Sequence, residues 1–306
     1  ETEKGEWEAH PYDIVFGADG AFSRIRHKMQ RRSMFNYSQH FLKTGYKELS
    51  IPANPDGTHK LNDNSLHIWP RGEFMLIALP NLDGSFTCTL FMPIEGEISF
   101  EGLDTEEKLE AFFIKHFEDA VDVIPDLIKD FFKNPTSSLV TIKCEPWSYW
   151  DKVALIGDAA HAIVPFYGQG MNAGFEDCSV LWDLFNKHKE NWPAIFKEYQ
   201  TSHKPNGDAL QDLSLQNYHV MRDYVADPKF LLQKKIEARI FEKYPNKWMP
   251  LYSQVTFSHI PYSEAYAVGI KQDKIMKGIM QIPNIENIWE SEEIESKSKT
   301  RTWDFA

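Results

Sequence analysis

The sequence predicts an α/β fold that combines two kinds of β-structure with a helical C-terminal region. Between Val153 and Cys178, an apolar run is followed by a glycine-rich loop and then by helical spacing, which indicates a strand–loop–helix unit. From Phe41 to about Pro93, short runs with β-like alternation predict an antiparallel sheet. Beyond Cys178 the apolar spacing is helical for most of the remaining chain.

The stretch from Val153 to Cys178 reads VALIGDAAHAIVPFYGQGMNAGFEDC and is the most informative part of the chain. Its apolar start is typical of a buried strand, which ends at Gly157 and Asp158. A loop then passes Pro165 and several glycines, and the helical pattern resumes at Ala173.

Glycines in this loop allow the backbone to approach a flat or phosphorylated ligand, because they carry no Cβ atom. They are Gly168, Gly170 and Gly174. We expect Asn172 to cap the helix that follows, so that its free amides face an electron-rich group. Asp158, at the carboxyl end of its strand, is expected to accept hydrogen bonds from a ligand hydroxyl.

Composition limits the classes of protein that remain. The 306 residues suggest about two domains, and 42% hydrophobic with 25% charged residues is ordinary for a globular protein. A net charge of -12 with no basic block argues against nucleic-acid binding. Cysteines and histidines lack metal-ligand spacing, so no metal site is predicted. The cysteines are interpreted as reduced core residues of a cytoplasmic protein: Cys88, Cys144 and Cys178.

Near the start of the chain, a second strand-to-helix transition is predicted. The run from Tyr12 to Gly17 is typical of a buried strand, and a short basic helix is expected from Ala21 to Gln30. The intervening sequence, GADGAFSRIR, has a DG turn followed by basic residues, which by itself indicates only a turn with a solvated face.

The predicted sheet consists of the runs GYKELSI, SLHIWP, EFMLIALP and SFTCTLFMP, with a hairpin turn at NLDG between the last two. Alternating positions on these runs place four residues in pairs that share a face of their strand. They are Ile77, Leu79, Thr89 and Phe91. Spacing alone favours core packing for them.

Helices and one further strand are expected elsewhere. Asp104 with Glu107 predicts a capping box, and a second helix is expected from Ala120 to Lys133 with an interruption at Pro125. The run from Ser138 to Cys144 is interpreted as a strand that returns the chain to the sheet carrying the Val153 stretch.

The C-terminal part is predicted to be helical with one break. Ile195 to about Val225 suggests one long helix or two, and the sequence Lys204-Pro205-Asn206-Gly207 favours a break. An amphipathic helix is expected from Phe230 to Tyr244, and the polar tail from Asn284 onward is expected to be loose. The predicted domains are 1–30, 31–145, 146–190, 191–285 and 286–306.

The string GDAAH, followed by P, GQG, N, G and D at fixed spacing, resembles the second FAD signature of the aromatic-ring flavoprotein monooxygenases, which are similar to para-hydroxybenzoate hydroxylase. The upstream sequence resembles the DGxxSxxR motif of the same family, with Asp19, Gly20, Ser23 and Arg26 at the matching positions. The resemblance implies a Rossmann-like FAD-binding part, an antiparallel-sheet substrate domain, and FAD and NADPH as cofactors. The family's GxGxxG segment has no match, so the FAD-binding part is expected to be incomplete, and the chain resembles the C-terminal two thirds of the fold.

Carried over position by position, the resemblance implies two sets of binding residues. The cofactor-binding set is Asp19, Gly20, Ser23, Arg24, Gly157, Asp158, Pro165, Gly168, Gly170, Met171 and Asn172. The substrate-binding set is Asn217, Tyr252, Phe166, Tyr167, Ile77, Leu79, Thr89 and Phe91. No catalytic side chain is assigned, because the flavin supplies the chemistry.

Segments such as SLHIWPRGEFMLIALPNLDGSFTCTLFMP, NYHVMRDYV and WMPLYSQVTFS are similar to those of family members that hydroxylate L-kynurenine in tryptophan catabolism. The implied reaction takes O2 and proceeds through a flavin hydroperoxide. One departure stands at Val220, where the family usually has a carboxylate three residues after the position of Asn217.

Two alternatives stay open. Val220 favours a related flavoprotein hydroxylase or reductase acting on another aromatic substrate. The missing GxGxxG segment favours a fragment that cannot hold FAD alone and exposes apolar surface. No apolar run approaches the roughly 20 residues of a membrane helix, and the tail SEEIESKSKTRTWDFA is too polar for a membrane anchor, so no membrane span is expected.

Overall fold

A computed structural model describes residues 11–291, and it divides into two compact units. The first, here called the motif unit, comprises residues 11–40, Thr141–Leu215 and Met249–Asp273. The second, the sheet unit, comprises Phe41–Val140, Gln216–Trp248 and residues 274–291. The five-part domain division made from the sequence stays a prediction. Its last range extends beyond the described residues.

The motif unit contains a three-stranded sheet with the order β1-β8-β7. Strand β1 (Val15–Gly17) pairs in parallel with β8 (Val153–Leu155), which also pairs antiparallel with β7 (Ser148–Tyr149). Both predicted strands are confirmed, although β1 is shorter than expected. Helices that lie wholly or mainly in this unit are α1 (Arg24–Met29), α5 (Asp158–His161), α6 (Gly170–His188), α7 (Trp192–His219), α9 (Leu251–Phe257) and α10 (Tyr262–Met280).

Large side chains from α7 fill the core beside this sheet. Phe196 and Tyr199 are fully buried together with Trp147, which precedes β7. Each such side chain stabilises the fold by roughly 2 kcal/mol through removal of apolar surface from water. The core therefore fixes α7 against the two strands that carry the sequence motifs.

Helix α7 is continuous, so the predicted break at Lys204 to Gly207 is wrong. Pro205 removes one intrahelical hydrogen bond, but the helix around it is held by tertiary contacts. Gly207 lies directly under Trp147, since a Cβ atom added there would come within 2.7 Å of the indole ring. The glycine is thus required by packing rather than by a turn.

The sheet unit contains a five-stranded sheet with the order β3-β4-β5-β2-β6. Its strands are β2 (Asn36–Ile51), β3 (His67–Pro70), β4 (Met75–Pro80), β5 (Phe86–Pro93) and β6 (Ser137–Glu145). The four predicted runs and the hairpin are confirmed, with Gly84 at a φ of 86° in the turn. Helices of this unit are α2 (Glu106–His116), α3 (Glu118–Val121), α4 (Leu127–Lys133), α8 (Pro228–Lys243) and α11 (Ile285–Ile288).

Several local expectations require correction. Strand β6 lies at the edge of the five-stranded sheet, next to β2, and does not join the sheet of β8. The cap of α2 is Thr105, whose hydroxyl accepts from the Lys108 amide, whereas Asp104 bonds the Lys108 side chain at 2.6 Å. The predicted capping box is therefore wrong: the cap lies one residue later, and Lys108 occupies the third helical position.

The C-terminal expectations also change in part. Ile285 is buried in a core cluster with residues of α8 and α10, so the segment after Asn284 is not wholly loose. The polar tail from residue 292 lies outside the described residues. Cys178 is exposed rather than buried in the core, while Cys88 and Cys144 are buried as predicted, and all three are free thiols.

No helix in residues 11–291 combines the length and the hydropathy that crossing a membrane requires.

Candidate functional site

The two sequence motifs meet at one edge of the motif unit. Because β1 and β8 are parallel and Gly17 pairs with Leu155, both strands end at the same edge of the sheet. Asp19 follows the first strand and Asp158 follows the second. A buried arginine connects the two segments: the Arg26 Nη1 donates to the carbonyl oxygen of Ala159 at 2.7 Å.

The carboxylate of Asp19 accepts from the first amides of α1, whose N-cap residue is Ser23. It accepts from the Ser23 hydroxyl at 2.5 Å and from the Arg24 amide at 2.6 Å, and a longer bond comes from Ile25. Burial raises the pKa of Asp19, but these hydrogen bonds outweigh that effect and lower it overall. Asp19 and Ser23 therefore shape the loop that leads into α1, with Gly20 at a φ of 79°.

The two arginines of the DG motif have different environments. Arg26 is buried, stacks on Tyr37 and bonds two backbone carbonyls, those of Ala21 and Ala159. Arg24 is exposed. Of the two, only Arg24 presents its side chain to solvent.

Asp158 begins the short helix α5 and is exposed to solvent. Surrounding protein atoms replace part of its water and raise the pKa of its carboxyl, and His161 offsets part of that rise. The residue before it, Gly157, has a φ of 59°, which favours glycine. This arrangement directs an accessible carboxylate out of the edge where the two strands end.

The glycine-rich loop follows as a short 3₁₀ turn (Pro165–Tyr167) and an αL residue, Gly168, at a φ of 68°. A Cβ atom added to Gly168 would meet nothing within 4 Å, so the space beside this residue is open. Phe166 and Tyr167 are buried beneath the turn.

Helix α6 begins at Gly170, three residues earlier than predicted, so Asn172 lies inside the first turn and is not the cap. The residue that precedes the helix, Gln169, provides no side-chain cap. Amides at the start of a 19-residue helix without such a cap are available to an electron-rich ligand or to water. Met171, 71% exposed, and Asn172 border this helix end on the solvent side.

A buried ionic cluster lies behind the loop, and sequence reasoning missed it. Asp177 is 0% exposed and accepts from the Gly157 amide at 2.6 Å and from His161 Nε2 at 2.7 Å. His203 Nε2 lies 2.8 Å from its other oxygen. Burial raises the pKa of Asp177, but the two histidines and the Gly157 amide lower it strongly overall. The last Asp of the glycine-rich string was the available signal, but no spacing rule relates it to Gly157, His161 and His203, which lie 16 to 26 positions away.

The C-terminal segment of the motif unit contacts the same loop. Tyr252 of α9 stacks on Tyr167 with ring centroids 5.4 Å apart, and the Tyr262 hydroxyl of α10 donates to Gln169 Oε1 at 3.1 Å. A core cluster that includes Tyr167, Ala173 and Ala265 continues this contact. Neither Gln169 nor Tyr262 was singled out from the sequence, because no motif relates the two positions.

In the sheet unit, the candidate substrate residues share one face of the five-stranded sheet. Ile77 pairs directly with Thr89 across β4 and β5, and Phe91 is two residues further along β5. The opposite face carries the core cluster with α2 to α4, which contains none of the four predicted residues. Core packing in that cluster is thus excluded for them. Phe91 is 3% exposed, whereas Leu79, toward the hairpin, is 45% exposed.

The segment that carries Asn217 is hydrogen-bonded to this same face of the sheet. The Tyr218 hydroxyl lies 2.5 Å from that of Thr44, which is on the Phe91 side of β2. From Val220 to Tyr224 the chain forms a π-helical segment, an uncommon conformation that is frequent at functional sites. Arg222 pairs with Asp223 through two bonds of 2.6 and 2.8 Å.

The structure thus distributes the predicted residues between the two units. All the cofactor-binding candidates lie in the motif unit, near the ends of β1 and β8, in the loop before α6 or in the first turn of α6. The substrate-binding candidates are divided. Phe166, Tyr167 and Tyr252 belong to the motif unit, whereas Asn217 and the four sheet residues belong to the sheet unit.

A family described as an FAD binding domain matches residues 11–214, which include both motifs and the five-stranded sheet. This is two thirds of the chain and contains every cofactor-binding candidate. The chain therefore belongs to this family of FAD-binding flavoproteins.

Comparison with individual proteins narrows the class to the FAD-dependent aromatic hydroxylases. The chain is 66% identical over 297 residues to kynurenine 3-monooxygenase of Flavobacterium psychrophilum, covering 97% of this chain and 66% of that relative. It is 65% identical over 297 residues to kynurenine 3-monooxygenase of Flavobacterium johnsoniae, covering 97% and 67%. The chain spans about two thirds of the length of these curated relatives.

A solved structure supports the fold. A tetrameric form of 2-methyl-3-hydroxypyridine-5-carboxylic acid oxygenase superposes with a TM-score of 0.58 at 22% identity, covering 74% of this chain and 59% of that chain. The mixed α/β architecture with an antiparallel sheet and a helical C-terminal region, expected from the sequence, is thereby confirmed.

The residues present fit part of an FAD site. Open space beside Gly168, the uncapped start of α6 and the exposed Asp158 carboxylate provide access, amide donors and an acceptor for hydroxyl groups. These three features lie in one continuous segment of the motif unit. A flavin nucleotide, with its hydroxylated chain and its electron-rich ring, matches this combination of groups.

Proposed function

We propose that this chain is the larger part of an FAD-dependent, NADPH-using monooxygenase that hydroxylates L-kynurenine to 3-hydroxykynurenine. The observation that carries the proposal is the junction of the two motifs, where Arg26 bonds the backbone next to Asp158. The 66% identity to a relative named kynurenine 3-monooxygenase supports the substrate. The other reactant is O2, and the implied compartment is the cytoplasm.

In this proposal the motif unit holds and orients the cofactor. Asp158 accepts hydrogen bonds from hydroxyls of the ribityl chain, and the amides at the start of α6 donate to the flavin ring. When bound, FAD supplies the transfer of electrons from NADPH and the activation of O2. Arg24, exposed beside the Asp19 loop, is available to a phosphate group.

In this proposal the apolar side chains near the glycine-rich loop and on the sheet contact the aromatic substrate and exclude water. Phe166 and Tyr167 under the glycine-rich loop, and Ile77 and Phe91 on the sheet, provide hydrophobic surface for an aromatic ring. Water at the reacting face would release peroxide without hydroxylated product. Asn217 and Tyr252 are the proposed contacts to the polar groups of the substrate. No side chain is required to act as an acid or base.

The test uses this chain joined to the third of a 66%-identical relative that the chain does not cover, here called the extended chain. NADPH oxidation is measured with FAD present, comparing L-kynurenine, no substrate and para-hydroxybenzoate. We expect stimulation by kynurenine alone and formation of 3-hydroxykynurenine. Absence of stimulation, or peroxide as the sole product, contradicts the substrate assignment.

A second candidate is a hydroxylase or reductase of the same fold with a different aromatic substrate, and Val220 favours it. This residue starts the π-helical segment next to Asn217 and cannot pair with an ammonium group. A panel of aromatic acids, scored by the NADPH oxidation that each one stimulates, separates the two candidates. The variant Val220→Glu is the matched comparison, because it introduces a carboxylate at this position.

The third possibility is a chain that cannot hold FAD alone. Several large apolar side chains of the motif unit are exposed, and such a surface favours association. They are Phe22, Met171, Phe175 and Trp182. We expect the bare chain to purify colourless and prone to aggregation. A yellow, monomeric preparation that melts cooperatively contradicts this.

A further inference from the structure

The side chain of Gln169 is buried and held by hydrogen bonds within an otherwise glycine-rich loop. It is only 7% exposed and stands immediately before α6, between Gly168 and Gly170. Its Oε1 accepts two hydrogen bonds, one from Nδ2 of the Asn172 side chain at 3.0 Å and one from the Tyr262 hydroxyl at 3.1 Å. One of these bonds is local and the other comes from a helix more than ninety positions later in the sequence.

Tyr262 is presented from a well-anchored helix end. It is the first residue of α10, and the next residue, Ser263, bonds Asn206 of α7 through both its amide and its hydroxyl, at 3.1 and 2.7 Å. Ala265 is fully buried in the cluster that also contains Tyr167. The hydroxyl that reaches Gln169 is therefore part of a rigid support and not of a mobile surface chain.

The hydroxyl also stays a donor under ordinary conditions. Burial raises the pKa of Tyr262 to about 12, and the negative charge of Glu176 contributes to the rise. A tyrosine with this pKa remains protonated at neutral pH. The bond to Gln169 is consequently present across the pH range in which such a protein is assayed.

The loop has little order of its own. Gly168 occupies the left-handed region, Gly170 begins the helix, and no side chain caps the helix start. Glycine segments lose the most conformational entropy on ordering, so a loop of this composition depends on contacts from outside. The bond from Tyr262 is such a contact, and it acts on the residue between the two glycines.

We propose that Tyr262 is a positioning residue for the glycine-rich loop, holding Gln169 so that Gly168 to Gly170 keep one conformation at the start of α6. This inference rests on the proposed function for its catalytic consequence, since this loop then borders the flavin. Loss of the bond lets the loop open, admits water and diverts oxidation of NADPH to peroxide. Tyr262 touches neither cofactor nor substrate in this account.

The test compares Tyr262→Phe with Tyr266→Phe in the extended chain. Tyr266 is one turn further along α10 and packs in the same cluster, and its hydroxyl makes no hydrogen bond to Gln169, so its variant removes the same chemical group while keeping the Tyr262 bond. Product and peroxide are both measured per NADPH consumed. We expect Tyr262→Phe to raise the peroxide share about two- to tenfold, corresponding to one lost hydrogen bond, and Tyr266→Phe to leave it unchanged.

A second measurement needs no turnover. Hydrogen exchange of the backbone amides from 168 to 173 is followed in wild type and in both variants. Exchange about two- to tenfold faster in Tyr262→Phe alone supports the inference even if kynurenine proves not to be the substrate. Equal exchange in the two variants overturns it, whatever the activity.

A double-mutant cycle completes the design. If Tyr262 acts through Gln169, then Tyr262→Phe has no further effect on exchange or peroxide in a Gln169→Leu background. If the effects of Tyr262→Phe and Gln169→Leu are additive, the two residues act independently. In that case Tyr262 contributes to the folding stability of the motif unit without acting on the loop through Gln169, and the positioning role is rejected.

Discussion

Within the glycine-rich string, residues only a few positions apart face opposite environments. Asp158, Gly168 and Met171 lie on the solvent side, whereas His161 and Asp177 are buried. Asp158 offers an exposed carboxylate to a ligand, whereas Asp177 bonds the Gly157 amide and the His161 side chain bonds Asp177. A motif of this kind therefore encodes two things at once, a binding surface and the support that holds its shape.

The sheet unit shows the same division across the thickness of one sheet. Leu76 and Leu90 point into the core against the helices, while Ile77 and Thr89 point to the other face. Strand alternation makes this division readable from sequence, whereas the division within the glycine-rich string depends on contacts between distant segments. Substitutions of the buried residues should mainly lower the free energy of unfolding. Substitutions on the other side should mainly change ligand affinity or KM.

The largest effect is expected from the buried side of the string. Asp177→Asn removes the charge that both histidines and the Gly157 amide share, and it should lower the free energy of unfolding by about 3 kcal/mol. Denaturant unfolding provides the measurement. Asp183→Asn, exposed on the same helix, is the control and should change stability by less than about 0.5 kcal/mol. Equal losses in the two variants would mean that the cluster is not a support.

The same carboxylate gives a pH dependence with a defined sign. Because the folded protein lowers the pKa of Asp177 below its usual value of about 3.9, the unfolded chain takes up a proton first as the pH falls. Its stabilising contribution is complete above about pH 5 and declines toward pH 3. The difference in unfolding free energy between wild type and Asp177→Asn should shrink over this range. A difference that stays constant from pH 6 to pH 3 contradicts this assignment.

A comparable contrast is expected across the sheet. Leu76→Ala creates a cavity in the core and should cost about 3 kcal/mol, whereas Ile77→Ala, half-buried on the other face, should cost less than half as much. In the extended chain, Ile77→Ala should instead raise the KM for the aromatic substrate. Unfolding curves and steady-state kinetics on the same two variants provide the comparison. If Ile77→Ala loses stability like Leu76→Ala without a change in KM, this face is packing surface.

On the exposed side of the string, Asp158→Asn should change ligand affinity rather than stability. Loss of one charged acceptor should weaken FAD binding to the extended chain about tenfold, with an unchanged melting temperature. Flavin fluorescence titration provides the affinity. The control is Asp151→Asn, because Asp151 stands just before β8, at the opposite end of that strand. If the two variants bind FAD with equal affinity, Asp158 does not contribute to the cofactor site.

The smallest effect is expected at Gly168. An alanine there meets no neighbouring atom, so its only cost is the left-handed backbone, about 1 kcal/mol. Gly170→Ala is the matched control, since its Cβ would make an ordinary contact of 3.6 Å with Ile163 and needs no unusual φ. Denaturant unfolding of both variants should separate them by about this amount. A loss in Gly168→Ala well above about 1 kcal/mol would contradict the open space described beside Gly168.

Much of this organisation could be predicted from the sequence because it is local. Alternation defined β4 and β5, the NLDG turn defined their hairpin, and the order of strand, glycines and helix defined the segment from Val153. The shared face of Ile77, Thr89 and Phe91 also follows from alternation once the register is known. Motif spacing gave the family, and the comparison with relatives confirms it.

The errors arose where distant contacts override local preference. Pro205 and Gly207 favour a turn, but Trp147 packs against the helix and keeps it continuous. Helix α6 was predicted to start near Ala173 but begins at Gly170. Asn172 bonds the Gln169 side chain from inside the first turn and does not cap the helix. Supporting residues such as Asp177 cannot be recognised without their partners. Contacts between positions as far apart as Trp147 and Gly207 leave no periodic signal in the sequence.

The discontinuous path of the motif unit has a consequence for its biosynthesis. The cluster around Tyr167 is completed by Val255 and Ala265, which the ribosome makes only after the whole of α7 and α8. Domains generally fold as units while the chain emerges, so the glycine-rich loop is among the last segments of its unit to be enclosed. A nascent chain that pauses before α10 exposes this loop without its hydrophobic cover, and chaperones have their clearest binding opportunity during that interval.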